Sequence, residues 1–311
     1  MSELLPPSID PIAARRWADI AEGAERAPWL HEEVARRMAE RLQVIRLPVS
    51  QWAHWEPVRG GMQGHALVAR HYPGSESFLV RANPAAAGTP AEAGRKTFAR
   101  GLFQRLGRGR ASEVTGVAPP DGSMQMVWAN MLAHHSPDPA ALMARWHRAL
   151  VTDGFVMFSC LGPDTLKELR SMYARLGWAP PSHEFTDMHD WGDLLVSAGF
   201  AEPVMDMERV TLTFESPARL LEELRGLGRN LNVARFPALR GRHWFNELQA
   251  AMQEHLRLPP QEPGQPPGPL ALSFEIIYGH ALKPALRPRV APQTEIALTD
   301  MRAALRDRRP S

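Results

Sequence analysis

The chain has 311 residues, 44% of them hydrophobic, enough to bury a full core in one large domain or two. Lys+Arg 36 against Asp+Glu 34 is nearly balanced, so no polyanionic partner is demanded and nucleic acid is disfavoured. The single cysteine, Cys160, excludes an internal disulfide and fits a reducing cytoplasm, and the opening MSELLPPSIDP has neither the basic flank nor the apolar run of a signal peptide or membrane span.

In chain order, residues 11–22 and 30–45 read as helices. In the second, Leu30, Val34, Met38 and Leu42 recur at intervals of four, so one apolar stripe faces the body of the protein. Residues 52–74 then read as strand, glycine-bearing turn and helix, with Gly60, Gly61 and Gly64 supplying the turn. A glycine cluster after a strand is by itself an ordinary strand-to-helix turn and weak evidence for a nucleotide. Residues 77–84 form a short strand running into Arg81 and Asn83. Beyond a loop rich in Ala, Gly and Pro, residues 95–110 place Phe98, Leu102, Phe103 and Leu106 on one side of a helix and several arginines elsewhere, which is either a packed amphipathic helix or a docking face for an acidic partner.

The most regular stretch runs from 124 to 170. An apolar strand over 124–128 is followed by a loop carrying Asn130, His134 and His135, a helix over 138–150, the turn Thr152-Asp153-Gly154 and a second apolar strand over 155–160. Two buried strands joined by a crossover helix are parallel, and ligands of open α/β sheets sit beyond the carboxyl ends of such strands. Asn130, His134, His135, Gly162, Asp164 and Thr165 therefore fall at a candidate site. Two adjacent histidines with no carboxylate or thiol at ligand spacing do not make a metal site. Gly162-Pro163-Asp164-Thr165 opens a helix over 166–176, whose free N–H groups are able to hold a carboxylate. A helix over 187–199, a strand over 203–214, a helical insertion over 216–269 with a proline-rich end, and a last strand over 270–282 complete the reading.

The segments WAN-MLAHH-SPDP, WHRAL, FVMFSCLGPDTLKELR and FTDMHDWGDLLVSAGFAEPVMDMERVTLTF resemble the biotin-synthesis malonyl-carrier-protein O-methyltransferases, a family of class I S-adenosylmethionine (SAM) methyltransferases. The similarity runs from about residue 15 to about 284. It implies an α/β, Rossmann-like fold: a seven-strand, mostly parallel sheet with a reversed last strand and helices on both faces. It further implies an N-terminal helical lid over 1–46, a methyltransferase-like domain over 47–284 with a cap inserted at 216–269, and a flexible basic tail over 285–311. SAM is the implied cofactor, held by Glu56, Gly60, Gly61, Gly64, Arg81, Asn83 and Asn130. The implied acceptor is a malonyl thioester on an acyl carrier protein, met by His134, His135, Gly162, Asp164, Thr165 and Arg225, with Arg229 and Arg235 turned to the acidic carrier.

Three positions depart from the family pattern. Val58 and Met62 replace two glycines of the loop; a Cβ at positive φ costs roughly 1–2 kcal/mol, and this register directs the long Met62 side chain inward, toward the ligand. Arg81 replaces the carboxylate that receives the ribose hydroxyls, and a guanidinium has donors only. Losing charge-assisted bonds of about 1.5–3 kcal/mol each weakens cofactor binding roughly tenfold or more per bond. The alternative function is accordingly a catalytically silent member of the fold that serves as a binding or regulatory partner.

Overall fold

The structure is a computed structural model and describes residues 9–22, 26–81, 113–260, 262 and 264–285. Asn83, the basic segment 95–110 and the tail from 286 onward lie outside the described residues. Seven strands form one sheet in the order β3-β2-β1-β4-β5-β7-β6. They are β1 (Gln51–Trp55), β2 (Glu76–Val80), β3 (Glu113–Gly116), β4 (Met124–Ala129), β5 (Leu150–Leu161), β6 (Ala201–Phe214) and β7 (Leu270–Leu282). The first five strands are parallel neighbours, whereas β7 runs antiparallel to both β5 and β6. This is the expected mostly parallel sheet with its reversed last strand.

The helices are α1 (Pro11–Glu22), α2 (Trp29–Arg41), the single turn α3 (Pro57–Gly60), α4 (Met62–His71), α5 (Pro139–Ala149), α6 (Lys167–Arg175), α7 (Met188–Ser197), α8 (Pro217–Leu227) and α9 (Arg242–His255). Their starts follow local chemistry. Asp138 accepts from the Ala141 N–H at 2.8 Å with Pro139 in the first turn of α5, and Asp187 caps α7 through the His189 N–H. Gly199, at φ +96°, lies just past the end of α7 as a left-handed stop.

Alternation along the central strands builds two cores. Met126 and Trp128 of β4 with Phe155 and Met157 of β5 face the side covered by α2, α6, α8 and α9, while Val127, Ala129, Val156, Phe158 and Cys160 face α5 and α7. The stripe anticipated on the second helix is buried throughout: Leu30, Val34, Met38 and Leu42 are each at most 2% exposed. Cys160 is a buried free thiol whose pKa is pushed up by burial.

One expectation changes. The turn read at Thr152-Asp153-Gly154 lies inside β5, where the register with β4 shifts between Met124 and Met126. Asp153 takes φ +63°, and a Cβ on Gly154 would stand 3.0–3.1 Å from the carbonyls of Gln125, Val151 and Met124. Turn chemistry here makes an irregularity within the strand rather than ending it.

Gly279 of β7 lies opposite Phe158 of β5, and the Phe158 ring occupies the space that a Cβ would need. Gly279→Ala is expected to cost roughly 1–3 kcal/mol by overpacking. Gly226, exposed within α8 with only the Pro28 ring at 3.8 Å, is expected to gain about 0.5–1 kcal/mol as Ala. Paired thermal melts check the opposite signs.

Candidate functional site

The strand order reverses between β1 and β4, the position at which an open α/β sheet leaves a crevice at its carboxyl edge. Arg81, Glu56, Asn130 and Gly162 follow directly on β2, β1, β4 and β5, so they stand in that order along the edge. The backbone continues the ladder there, since Glu56 N–H donates to the Val80 carbonyl at 2.9 Å and Arg81 N–H to the Gly116 carbonyl at 3.0 Å. Glu113, by contrast, opens β3 at the opposite end, where it meets the ring of His65 at 3.5 Å.

The crevice between Glu56 and Asn130 is closed by the first turn of α2. Asn130 is fully buried; its amide nitrogen donates to the His31 carbonyl at 2.7 Å and the Gly60 carbonyl at 2.5 Å, while its oxygen accepts from Ser159 Oγ at 2.7 Å. His31 Nδ1 donates to the Arg59 carbonyl at 2.8 Å. Glu32 accepts from the N–H of Gln63 at 3.1 Å and of Gly64 at 3.3 Å, and so caps α4 from another helix. Gly61 supplies the left-handed turn at φ +101°, with Glu32 Oε2 2.5 Å from where its Cβ would be; Ala35 stands equally close over Gly64. Met62 does not point inward, as its place in the glycine register implied. The helical turn α3 rotates it outward, 43% exposed, into a groove shared with Trp29, Val58 and Arg70.

A second cavity, of about 200 Å³, lies beyond the end of β5. Leu161, Leu166, Leu169, Phe185, Leu224 and Phe274 form its apolar walls, and His135, Ser182, His183, Arg225 and Arg229 its polar side. His135 and Arg225 thus line one cavity. His134 lies behind His135, ring centroids 4.0 Å apart, and its Nδ1 accepts from the Leu161 N–H at 3.3 Å, so its proton sits on Nε2. Gly162, Asp164 and Thr165 turn elsewhere. The N–H of Asp164 donates to Glu275 Oε2 at 2.6 Å, Thr165 Oγ1 is bonded to the backbone of Glu275, and the Asp164 carboxylate pairs with Arg209. The helix begins one residue later than expected, with Leu166 at φ +57° preceding it. The carboxylate held at that turn is therefore the protein's own Glu275. Arg235 is likewise engaged, paired with Asp10 at 2.7 Å.

Sequence reasoning missed Glu32, Ser182, His183 and Glu275. Only Glu275 carried a signal, as an acid within the apolar run LSFEIIYG. Glu32 looks like any helix-surface acid until α2 is laid on the loop.

Six buried imidazoles, His31, His54, His65, His134, His135 and His183, are all depressed below their usual pKa, in each case chiefly by burial. His31 falls to about 4, and in His134 and His135 the neighbouring histidines and Arg59 add to the effect. Among the described residues no group of His, Cys, Asp and Glu is placed to hold a metal ion, and no helix is long and apolar enough to cross a membrane.

A seven-strand sheet with a reversed seventh strand, and a ligand edge bearing an acid after β1, define a class I methyltransferase fold. No family model matches the chain. Curated relatives do: the malonyl-[acyl-carrier protein] O-methyltransferase of Laribacter hongkongensis is 36% identical over 85% of this chain and 86% of its own. That of Gallionella capsiferriformans is 35% identical over 91% and 93%, and that of Halorhodospira halophila 30% over 97% and 98%. Among solved structures, a putative methyltransferase from Bacillus halodurans is similar at 15% identity and TM-score 0.48, over 80% of this chain and all of that one. The chain belongs to the malonyl-[acyl-carrier protein] O-methyltransferase family.

SAM is the methyl donor that goes with this family. With α2 closed over the edge, the N–H groups of Gln63 and Gly64 are given to Glu32 and both amide protons of Asn130 are used, so the residues present leave SAM no place until α2 moves. Arg81, at the end of β2, brings donors and no acceptor to that edge.

Two expectations follow. Asn130→Ala strands Ser159 Oγ and two buried carbonyls and is expected to cost about 2–3 kcal/mol. Limited proteolysis should then cut within 26–45 faster than in the parent; equal rates would mean that Asn130 does not hold α2. Each of the six histidines binds its proton less readily when folded than at the ordinary 6.5. The unfolded chain therefore protonates first, so stability is complete above about pH 6.5 and falls as the pH drops toward 4. Urea midpoints across that window check the slope.

Proposed function

We propose that the chain transfers a methyl group from SAM to the free carboxylate of a malonyl thioester carried on an acyl carrier protein, the reaction for which its relatives are named. The observation that carries this reading is 35–36% identity to those enzymes across 85–91% of the chain. The chemistry suits the residues present. A carboxylate is already anionic at neutral pH, so no general base is required, and positioning with exclusion of water is what remains for the protein to do. The cavity beyond β5, apolar on one side and basic on the other, suits an acyl chain ending in a charge. Entry of a cofactor requires α2 to lift, in keeping with the lid implied for residues 1–46. The single cysteine, a buried free thiol, supports a cytoplasmic location.

A second reading, a silent relative that binds a carrier protein or another methyltransferase, draws its support from Arg81 and from the Glu32 carboxylate seated on the loop. Calorimetric titration with SAM separates the two. Micromolar binding, with transfer of labelled methyl to malonyl carrier protein, is expected for the enzyme; no heat at millimolar SAM leaves the second reading standing. Arg81→Asp, which restores an acceptor at the end of β2, is expected to tighten SAM binding at least tenfold. An unchanged affinity would place Arg81 outside the ribose position.

A further inference from the structure

The polar side of the cavity beyond β5 holds more unmet bonding capacity than a packed wall would keep. Ser182, His183 and His135 are 7%, 3% and 7% exposed, yet Ser182 Oγ, His183 Nδ1 and His135 Nδ1 have no hydrogen-bond partner. His183 uses its Nε2–H on the His134 carbonyl at 2.9 Å, which leaves Nδ1 as a bare acceptor. Buried polar atoms are ordinarily satisfied, and these three belong to residues that line one cavity.

Facing them are Arg225, in the last turn of α8, and Arg229, one turn further on. Neither has a carboxylate partner among the described residues, although Arg209, Arg219 and Arg235 all do. Arg229 donates to the backbone carbonyls of Arg225 and Gly228 and lies 5.0 Å from the Trp17 ring, and both arginines line the same cavity. Burial and the Arg225 charge both make the Arg229 cation less favourable. Two guanidinium groups without a carboxylate partner, with the unbonded Ser182 hydroxyl on the same wall, suit a carboxylate, which accepts at both oxygens.

We propose that Arg225 and Arg229, with Ser182 and His135, form the subsite that selects an acyl thioester by its terminal carboxylate, the acyl carbons lying against Leu161, Leu166 and Phe274. His183 Nδ1 remains an acceptor and faces the thioester or a bridging water. The selection lies on the inserted wall rather than at the turn 162–165, where Glu275 already occupies the N–H groups. This inference rests on the acceptor class proposed above, but not on the cofactor.

The test is calorimetric titration of the full chain, without SAM, using malonyl-pantetheine and acetyl-pantetheine. These thioesters lack the carrier protein, so charge pairing with an acidic protein surface does not enter. The malonyl compound is expected to bind at least tenfold more tightly. Arg225→Gln, at an exposed position that tolerates change, should remove most of that preference, and Ser182→Ala should reduce it, with thermal melts showing both variants folded. Equal affinity for the two thioesters, no malonyl binding at millimolar concentration, or a preference untouched by Arg225→Gln overturns the subsite. Absent methyl transfer with the malonyl preference intact would instead count against the catalytic reading alone.

Discussion

The Asn130 side chain is the constraint on which the ligand edge depends. It leaves the end of β4, reaches the His31 carbonyl of α2 and the Gly60 carbonyl of the β1 loop, and is itself held by Ser159 of β5. Three separate pieces of chain are thereby fixed by one buried amide. A charge-free group suits this position, because the bonds sit at zero exposure, where an ionised replacement would carry a desolvation penalty. Gly60 is held to glycine by crowding at the same place: a Cβ there would be 3.2 Å from both the Asn130 backbone carbonyl and His54 Nε2. That glycine answers to packing within the protein, whatever ligand the loop once met or still meets.

With α2 held in this way, the β1 loop has two competing uses. A helix N-terminus presents N–H groups that favour an anion, and here the anion is Glu32. Helix α2 is also no loosely draped cover, since Leu30, Val34, Ala35 and Met38 belong to the same core as Trp52 and Trp128. Opening it exposes apolar surface as well as breaking hydrogen bonds. The occupancy of the crevice is therefore set by the balance between a packed helix and whatever cofactor competes for the loop.

How much of this was readable beforehand varied with the physics. The apolar runs of β4 and β5, the Asp138-Pro139 cap and the four-residue stripe on α2 are local signals; the starts of β4, α5 and α2 fall within about one residue of where they were read, whereas β5 begins at Leu150, before the turn residues read as its boundary. Edge residues Glu56, Arg81 and Asn130 were also legible, because a strand's end is a position in the chain. What remained hidden depended on pairs distant in sequence. The Glu32 contact with Gln63, the Glu275 contact with Asp164 and the Asn232 amide on the Ser182 carbonyl join segments that share no periodicity. The inward direction implied for Met62 failed for a related reason: the turn α3 rotates the start of α4, and rotation about a helix axis is not encoded by the spacing of glycines.

The wall bearing Arg225 and Arg229 is suspended between Phe214 and Leu270, the ends of two strands that are already antiparallel partners from Val204 and His280 onward. A tight hairpin would satisfy the sheet equally well. The inserted wall is therefore anchored by the cover that Leu220, Leu248 and Met252 give the core, and not by the pairing of β6 with β7, so its solvent side is free to vary while its core side is not.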